Sequence, residues 1–246
     1  MAESPPPVSP RLFDRHFRWR GTSVSRLEGF CDAVFAIVLA LLFLRAAPPE
    51  NFTDLHAAMK SLVPFAATFA IVGYIWTEHY LFARRYDLHD GWTTLLNLLL
   101  LFLLLFYAYP MKFLFTLMSV SMFGRIGALT QTKLLEGLQG EADAIQLFVF
   151  YGVGYGSIFA VLALLYQQAW RRRDQLSLDA VERALTRSGR TQCLLQAGIA
   201  AISIGIATTY GVAWGAPGWV YAMIGPLMAA HGFREGRKIR NLLPRR

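Results

Sequence analysis

Six stretches of this chain, roughly 26 to 44, 62 to 83, 94 to 112, 146 to 168, 191 to 211 and 216 to 233, are almost wholly apolar. Each is long enough to cross a hydrocarbon layer of about 30 Å as a helix rising ~1.5 Å per residue. A bilayer core offers backbone amides no water, so segments of this kind are confined to helices. Six of them in 246 residues leave no polar remainder large enough for a second domain. The expected fold is therefore all-α, a polytopic bundle of six transmembrane spans occupying residues 21–235. The leader 1–20 contains Ser4-Pro5-Pro6-Pro7-Val8-Ser9-Pro10, which can neither form a helix nor build a core, and reads as disordered. Residues 236–246 form a basic tail.

In a soluble chain, a net charge of +8 would point to nucleic acid. Here 55% of residues are apolar and the mean hydropathy is +0.38, with the basic residues between and beside the apolar spans, so they are topology signals instead. Nineteen of the 24 lysines and arginines fall on one side: before the first span, after the second, from Arg171 to Arg190 between the fourth and fifth, and after the sixth. The positive-inside rule puts that side, and both termini, in the cytoplasm of a bacterial inner membrane. The arginines of 171–173 and 234–246 suit anionic lipid there. Cys31 and Cys193 both lie within apolar spans, so no disulfide framework is expected. The first span is not read as a cleaved signal: it carries Asp32, and Ser25 with Glu28 makes a capping box that opens a stable helix.

Asp32 is the residue that most asks for a function, because a carboxylate inside a membrane helix costs several kcal/mol unless paired or wetted. With alternating helix directions, the start of the first span, the end of the second and the start of the third share one depth. Asp32, Glu78, His79 and Asn97 coincide at that level, with Arg26 and Arg84 just beyond at snorkelling depth. Such groups serve either as polar glue between helices or as a network attached to a conduction path. Ile37, Leu41 and Leu44 follow one another at helical spacing and share one face.

The stretch Arg26-Leu27-Glu28-Gly29-Phe30-Cys31-Asp32 resembles the Arg-x-x-x-Phe-Ser-Asp signature of the TMEM175 family of potassium-permeable channels. Trp76-Thr77-Glu78-His79, Asn97-Leu98-Leu99-Leu100-Leu101 and Pro110 follow in the order and spacing of bacterial members. The resemblance implies a homotetramer around a central pore lined by the first helix, passing potassium or other monovalent cations through the bilayer with neither cofactor nor nucleic acid. It implies that Ile37 forms an apolar constriction, extended by Leu41 and Leu44. It also implies a structural polar network drawing on Arg26, Phe30, Cys31, Asp32, Glu78, His79 and Asn97. Two positions depart from the pattern. Cys31 replaces the signature serine and forfeits a strong hydroxyl donor. Ala40 stands where many bacterial members carry a threonine one turn beyond the constriction, so the layer thought to favour potassium is altered.

Enzyme readings find no support in the sequence: there is no His-x-x-x-His or Cys-x-x-Cys metal pattern, no nucleophile elbow and no phosphate-binding loop. Nothing like the Thr-Val-Gly-Tyr-Gly filter of ordinary potassium channels occurs either. The competing function is a proton-coupled transporter or proton pathway through Asp32, Glu78 and His79. Against it, the outer two-thirds of the first three spans carries almost no titratable group. Gly152 and Gly156 in the fourth span, and Ala197, Ala201 and Gly205 in the fifth, follow small-x-x-x-small spacing, which allows close backbone approach between helices in lipid. Gly225-Pro226 is expected to kink the sixth. The segment 113–144 either extends the third helix or lies along the outer interface.

Overall fold

The structure is a computed structural model that describes residues 17–44, 50–123, 125–126, 129–130, 134, 136–137, 140–212 and 216–242. The chain is all-α in class. Its long elements are α1 (Arg26–Leu44), α2 (Phe52–Tyr86), α3 (Gly91–Phe123), α4 (Glu141–Arg171) and α5 (Ala180–Tyr210). The short α6 (Ala216–Trp219) leads through one 3₁₀ turn (Val220–Met223) into α7 (Ile224–Leu242). A two-residue antiparallel ladder, β1 (Arg125–Ile126) on β2 (Leu129–Thr130), follows α3 and is the sole strand pairing among the described residues. Among the described residues, four helices are long and apolar enough to cross a membrane, over Ala58–Tyr86, Gly91–Leu117, Glu141–Arg171 and Ala180–Tyr210. With α1, they form a polytopic membrane bundle.

Helix starts follow local chemistry. Ser25 Oγ accepts from the Glu28 amide at 3.1 Å, and Glu28 Oε2 accepts from the Ser25 amide at 3.4 Å, so the expected capping box opens α1. α2 ends at Tyr86, and Asp87 after it, with a φ of 49°, makes the left-handed turn that stops the helix. Asp90 then caps α3, accepting from the Thr93 amide at 3.2 Å and the Thr93 hydroxyl at 2.8 Å. Burial works to raise the Asp90 pKa, but the Thr93 bonds, Arg172 and Gln168 outweigh it and hold the carboxyl below the usual range. α3 runs through Pro110 to Phe123, so the start of the 113–144 segment extends the third helix.

Three expectations are corrected. α5 begins at Ala180, not near 191, so Arg183, Arg187 and Arg190 stand on a helix rather than in a loop. The cause is a second capping box, Asp179 with Glu182, in which each side chain accepts the other's amide, at 2.8 and 3.1 Å. The sixth span, expected as one helix over 216–233, is broken into α6, the 3₁₀ turn and α7. The break falls just ahead of Gly225-Pro226, where proline removes a backbone donor, and α7 continues to Leu242. Residues 17–20, expected to be part of a disordered leader, are packed into the fold. Phe17 is 3% exposed and meets Tyr86 edge-on at 5.4 Å, while the amides of Arg20 and Gly21 both donate to the Arg84 carbonyl.

The core sits where α2, α3, α4 and α5 converge, around Val72, Ile75, Leu100, Leu104, Phe159, Leu162 and Leu165. α4 and α5 make the most extensive interface. A Cβ on Gly152 would fall 2.5 Å from the Ile204 side chain, and one on Gly156 would fall 3.1 Å from Ala200 Cβ. These glycines therefore bring the two backbones close, as expected. The partners differ: α5 presents Ala200 and Ile204, whereas Ala201 is exposed and Gly205 faces open space.

Candidate functional site

α1 has two opposed faces. Cys31, Val34, Phe35, Val38 and Leu42 are buried against α2 and α3, each less than a tenth exposed. Opposite them, Phe30, Ala33, Ile37, Ala40 and Leu41 form an outward stripe, with Ile37 and Leu41 more than half exposed. The spacing repeats at about one and two helical turns, so the stripe runs straight up the helix. Leu44 ends α1, but its side chain lies outside the described residues. The Lys112 ammonium of α3 donates to the Leu42 carbonyl, satisfying one of the acceptors a helix C-terminus leaves open.

Polar contacts hold the other end of α1. Asp32, half-buried, accepts from Trp76 Nε1 of α2 at 2.8 Å. Glu28 and Arg84 form an ion pair at 3.1 Å, both largely buried, in a geometry short of a hydrogen bond. His79 Nε2 and Asn97 Oδ1 meet at 2.9 Å between α2 and α3, and Asn97 also donates to the Thr93 carbonyl one turn back. Phe35 of α1 packs on the His79 ring at 5.9 Å. Ser25, Glu28, His79, Asp87 and Asn97 line a small cavity of ≈ 20 Å³, large enough for one water molecule.

The structure thus brings His79 and Asn97 together and ties Asp32 to α2. It does not join all of the expected residues into one network. Arg26 and Phe30 are exposed, and Arg26 makes no hydrogen bond or ion pair among the described residues. Cys31 is completely buried as a packing residue. Glu78 turns the other way, because neighbouring positions on a helix point about 100° apart. Its carboxylate accepts from the Tyr166 hydroxyl of α4 at 3.0 Å and from Gln192 of α5 at 3.4 Å. Gln192 and Gln196 both donate to the Tyr74 hydroxyl, so Glu78 belongs to a network binding α2 to the α4–α5 pair. Trp76 and Arg84 were not among the site residues expected from the sequence. An indole and a guanidinium in the second span at the depth of two acids were the signals available.

No group of three or more histidine, cysteine or acidic side chains placed to hold a metal exists among the described residues. What the arrangement can do is hold one membrane helix by its inner face while leaving an apolar stripe exposed among the described residues. That is the architecture of a membrane protein whose first helix is presented to other copies or to the bilayer.

Comparison with known proteins narrows the class. Residues 26–107 match the family model described as endosomal/lysosomal potassium channel TMEM175. A protein of Marivirga tractuosa described as a potassium channel is 37% identical over 235 residues, 93% of this chain and 94% of its own length. The crystal structure of a threonine-to-alanine variant of the potassium channel MtTMEM175, solved with a nanobody–MBP fusion, superposes with a TM-score of 0.77 at 35% identity. That match covers 90% of this chain and 97% of the other. The chain belongs to the TMEM175 family, a family of ion channels and not of enzymes.

Proposed function

We propose that the chain is a potassium-permeable cation channel of a bacterial inner membrane, with both termini cytoplasmic, assembled as a homotetramer whose α1 helices line the pore. The observation that carries this reading is the outward stripe of α1. A helix fixed on one side by Trp76, Arg84 and the α3 side chains presents Ile37 and Leu41 to whatever lies outside its own subunit. Four copies around an axis would stack these side chains as apolar rings. A narrow apolar ring stops ions by dewetting, because it cannot replace their hydration. The relatives described as potassium channels supply the ion.

Ala40 lies on the same exposed side, one turn beyond Ile37. With no hydroxyl in that layer, potassium is expected to be preferred over sodium only weakly. A proton relay through Asp32, Glu78 and His79 gains nothing from the geometry: Glu78 faces α4 and α5, whereas Asp32 and His79 face α1–α3 contacts.

Replacing Ile37 by Asn is expected to raise ion flux through protein reconstituted in liposomes severalfold, since it wets the narrowest ring. The check is a potassium gradient with sodium opposite, recording reversal potential and proton flux alongside. Flux equal to that of the unsubstituted protein would remove Ile37 from the constriction. Asp32→Ala, by contrast, is expected to lower the yield of assembled oligomer on a sizing column while leaving ion preference unchanged, because its carboxylate anchors α1 to α2. An unaltered oligomer profile would count against that anchoring role.

A further inference from the structure

Six arginines on α4, α5 and α7 at the basic end of the bundle have no carboxylate partner among the described residues: Arg171, Arg187, Arg190, Arg234, Arg237 and Arg240. The acids nearest in sequence are already engaged. Asp174 pairs with Arg173 and Arg183, and Glu235 pairs with Lys238. The uncompensated charge is also organised. Arg173 and Arg187 each place a guanidinium over the ring of Trp170, at 5.2 and 4.8 Å from its centre. One turn deeper on α5, Arg190 donates to Gln167, but its Nε is buried with no partner. Trp170 and Arg190 mark where the apolar stretches of α4 and α5 begin, the depth at which indoles and guanidiniums meet phosphate headgroups.

α7 supplies the third side. None of its residues is buried, so protein packing alone holds it weakly. His231 meets Ser188 of α5 at 3.0 Å, so α7 packs beside the first turns of α5, and Arg234 follows one turn after that contact. α7 therefore lies, without a buried face of its own, beside cations that have no carboxylate partner among the described residues.

We propose that the face formed by the end of α4, the first turns of α5 and α7 is a binding surface for the phosphate headgroups of anionic phospholipid, with Arg187 and Arg190 at its centre. The bound phosphate would tie α7 to the α4–α5 pair. This inference rests on the inner-leaflet orientation given above, but not on ion permeation. Its test is therefore separate from the flux experiment.

The test uses the full-length assembled protein in detergent, titrated with phosphatidylglycerol or phosphatidylcholine while thermal unfolding is followed. Phosphatidylglycerol is expected to raise the melting temperature saturably, in a salt-sensitive way, and phosphatidylcholine is not. Each juxtamembrane cation contributes about fivefold to such binding. Arg187→Gln with Arg190→Gln should thus weaken the apparent phosphatidylglycerol affinity by about 25-fold. Arg187→Lys with Arg190→Lys, which keeps the charge, should retain most of it and so separates charge from damage to the fold. Equal stabilisation by the two lipids would overturn the proposal. So would unchanged phosphatidylglycerol affinity in the glutamine variant, or preferential binding of an oligonucleotide or acidic peptide of matched charge.

Discussion

Glu182→Ala is expected to lower the melting temperature of the purified protein by on the order of 10 °C, from a loss of about 3–5 kcal/mol. The Glu182 side chain is fully buried at the first turn of α5. Its carboxylate accepts from the Arg18 amide at 2.9 Å, from both terminal nitrogens of Arg20 at 3.3 and 2.9 Å, and from the Asp179 amide at 3.1 Å. Removal leaves the Arg20 guanidinium with backbone carbonyls but no carboxylate and opens the α5 cap, and it loosens the 17–21 segment that leads into α1. Glu182→Gln, which keeps an acceptor without the charge, should lie between the two. In a double-mutant cycle, Arg20→Ala and Glu182→Ala should be strongly non-additive, since each removes the same contact. Additive losses, or an alanine variant melting within about 1 °C of the unsubstituted protein, would show that the latch holds nothing.

The second large effect is expected at Gly154. A Cβ there would fall 2.0 Å from Cδ1 and 2.6 Å from Cγ of Tyr107, the root of the ring rather than a movable tip. Tyr107 cannot easily swing aside, because Phe106 and Phe150 pack on it at 5.2 and 5.3 Å. Gly154→Ala should therefore force α3 and α4 apart, at a cost of about 1–3 kcal/mol or more. The readout is the yield of monodisperse protein together with its melting temperature. Tyr107→Ala introduced into the Gly154→Ala background should recover part of the loss, the opposite of its effect alone. Failure of the second substitution to recover anything would place the cause of the loss elsewhere.

Gly154 also shows the limit of reading this chain one dimension at a time. Gly152 and Gly156 announce themselves by their spacing, and both do meet α5. Gly154 has no partner at that spacing, and its importance comes from an aromatic ring almost fifty positions earlier. The Ser25–Glu28 capping box was legible because its bonds span three residues. The Asp179–Glu182 box was equally legible in principle, and it fixes the start of α5 where hydropathy, blind to a polar helical turn outside the apolar stretch, does not. The common depth of Asp32, His79 and Asn97 followed from alternating helix direction. Which of them touch did not, since depth along an axis says nothing about rotation around it: Glu78 and His79 are adjacent in sequence yet bind different pairs of helices.

The amino-acid order by itself determined the solvent of this protein, its helical class and the family its leading segment resembles, because burying backbone amides in hydrocarbon leaves only helices and because the recognisable residues lie close together along α1–α3. Tertiary structure alone decided the rotation of each helix. It turned Ile37 and Leu41 outward, sent Glu78 to α4 and α5, and folded residues 17–21 against Glu182 across more than 150 positions. Those outcomes depend on which side chains fit between helices that the chain brings together only after it has folded.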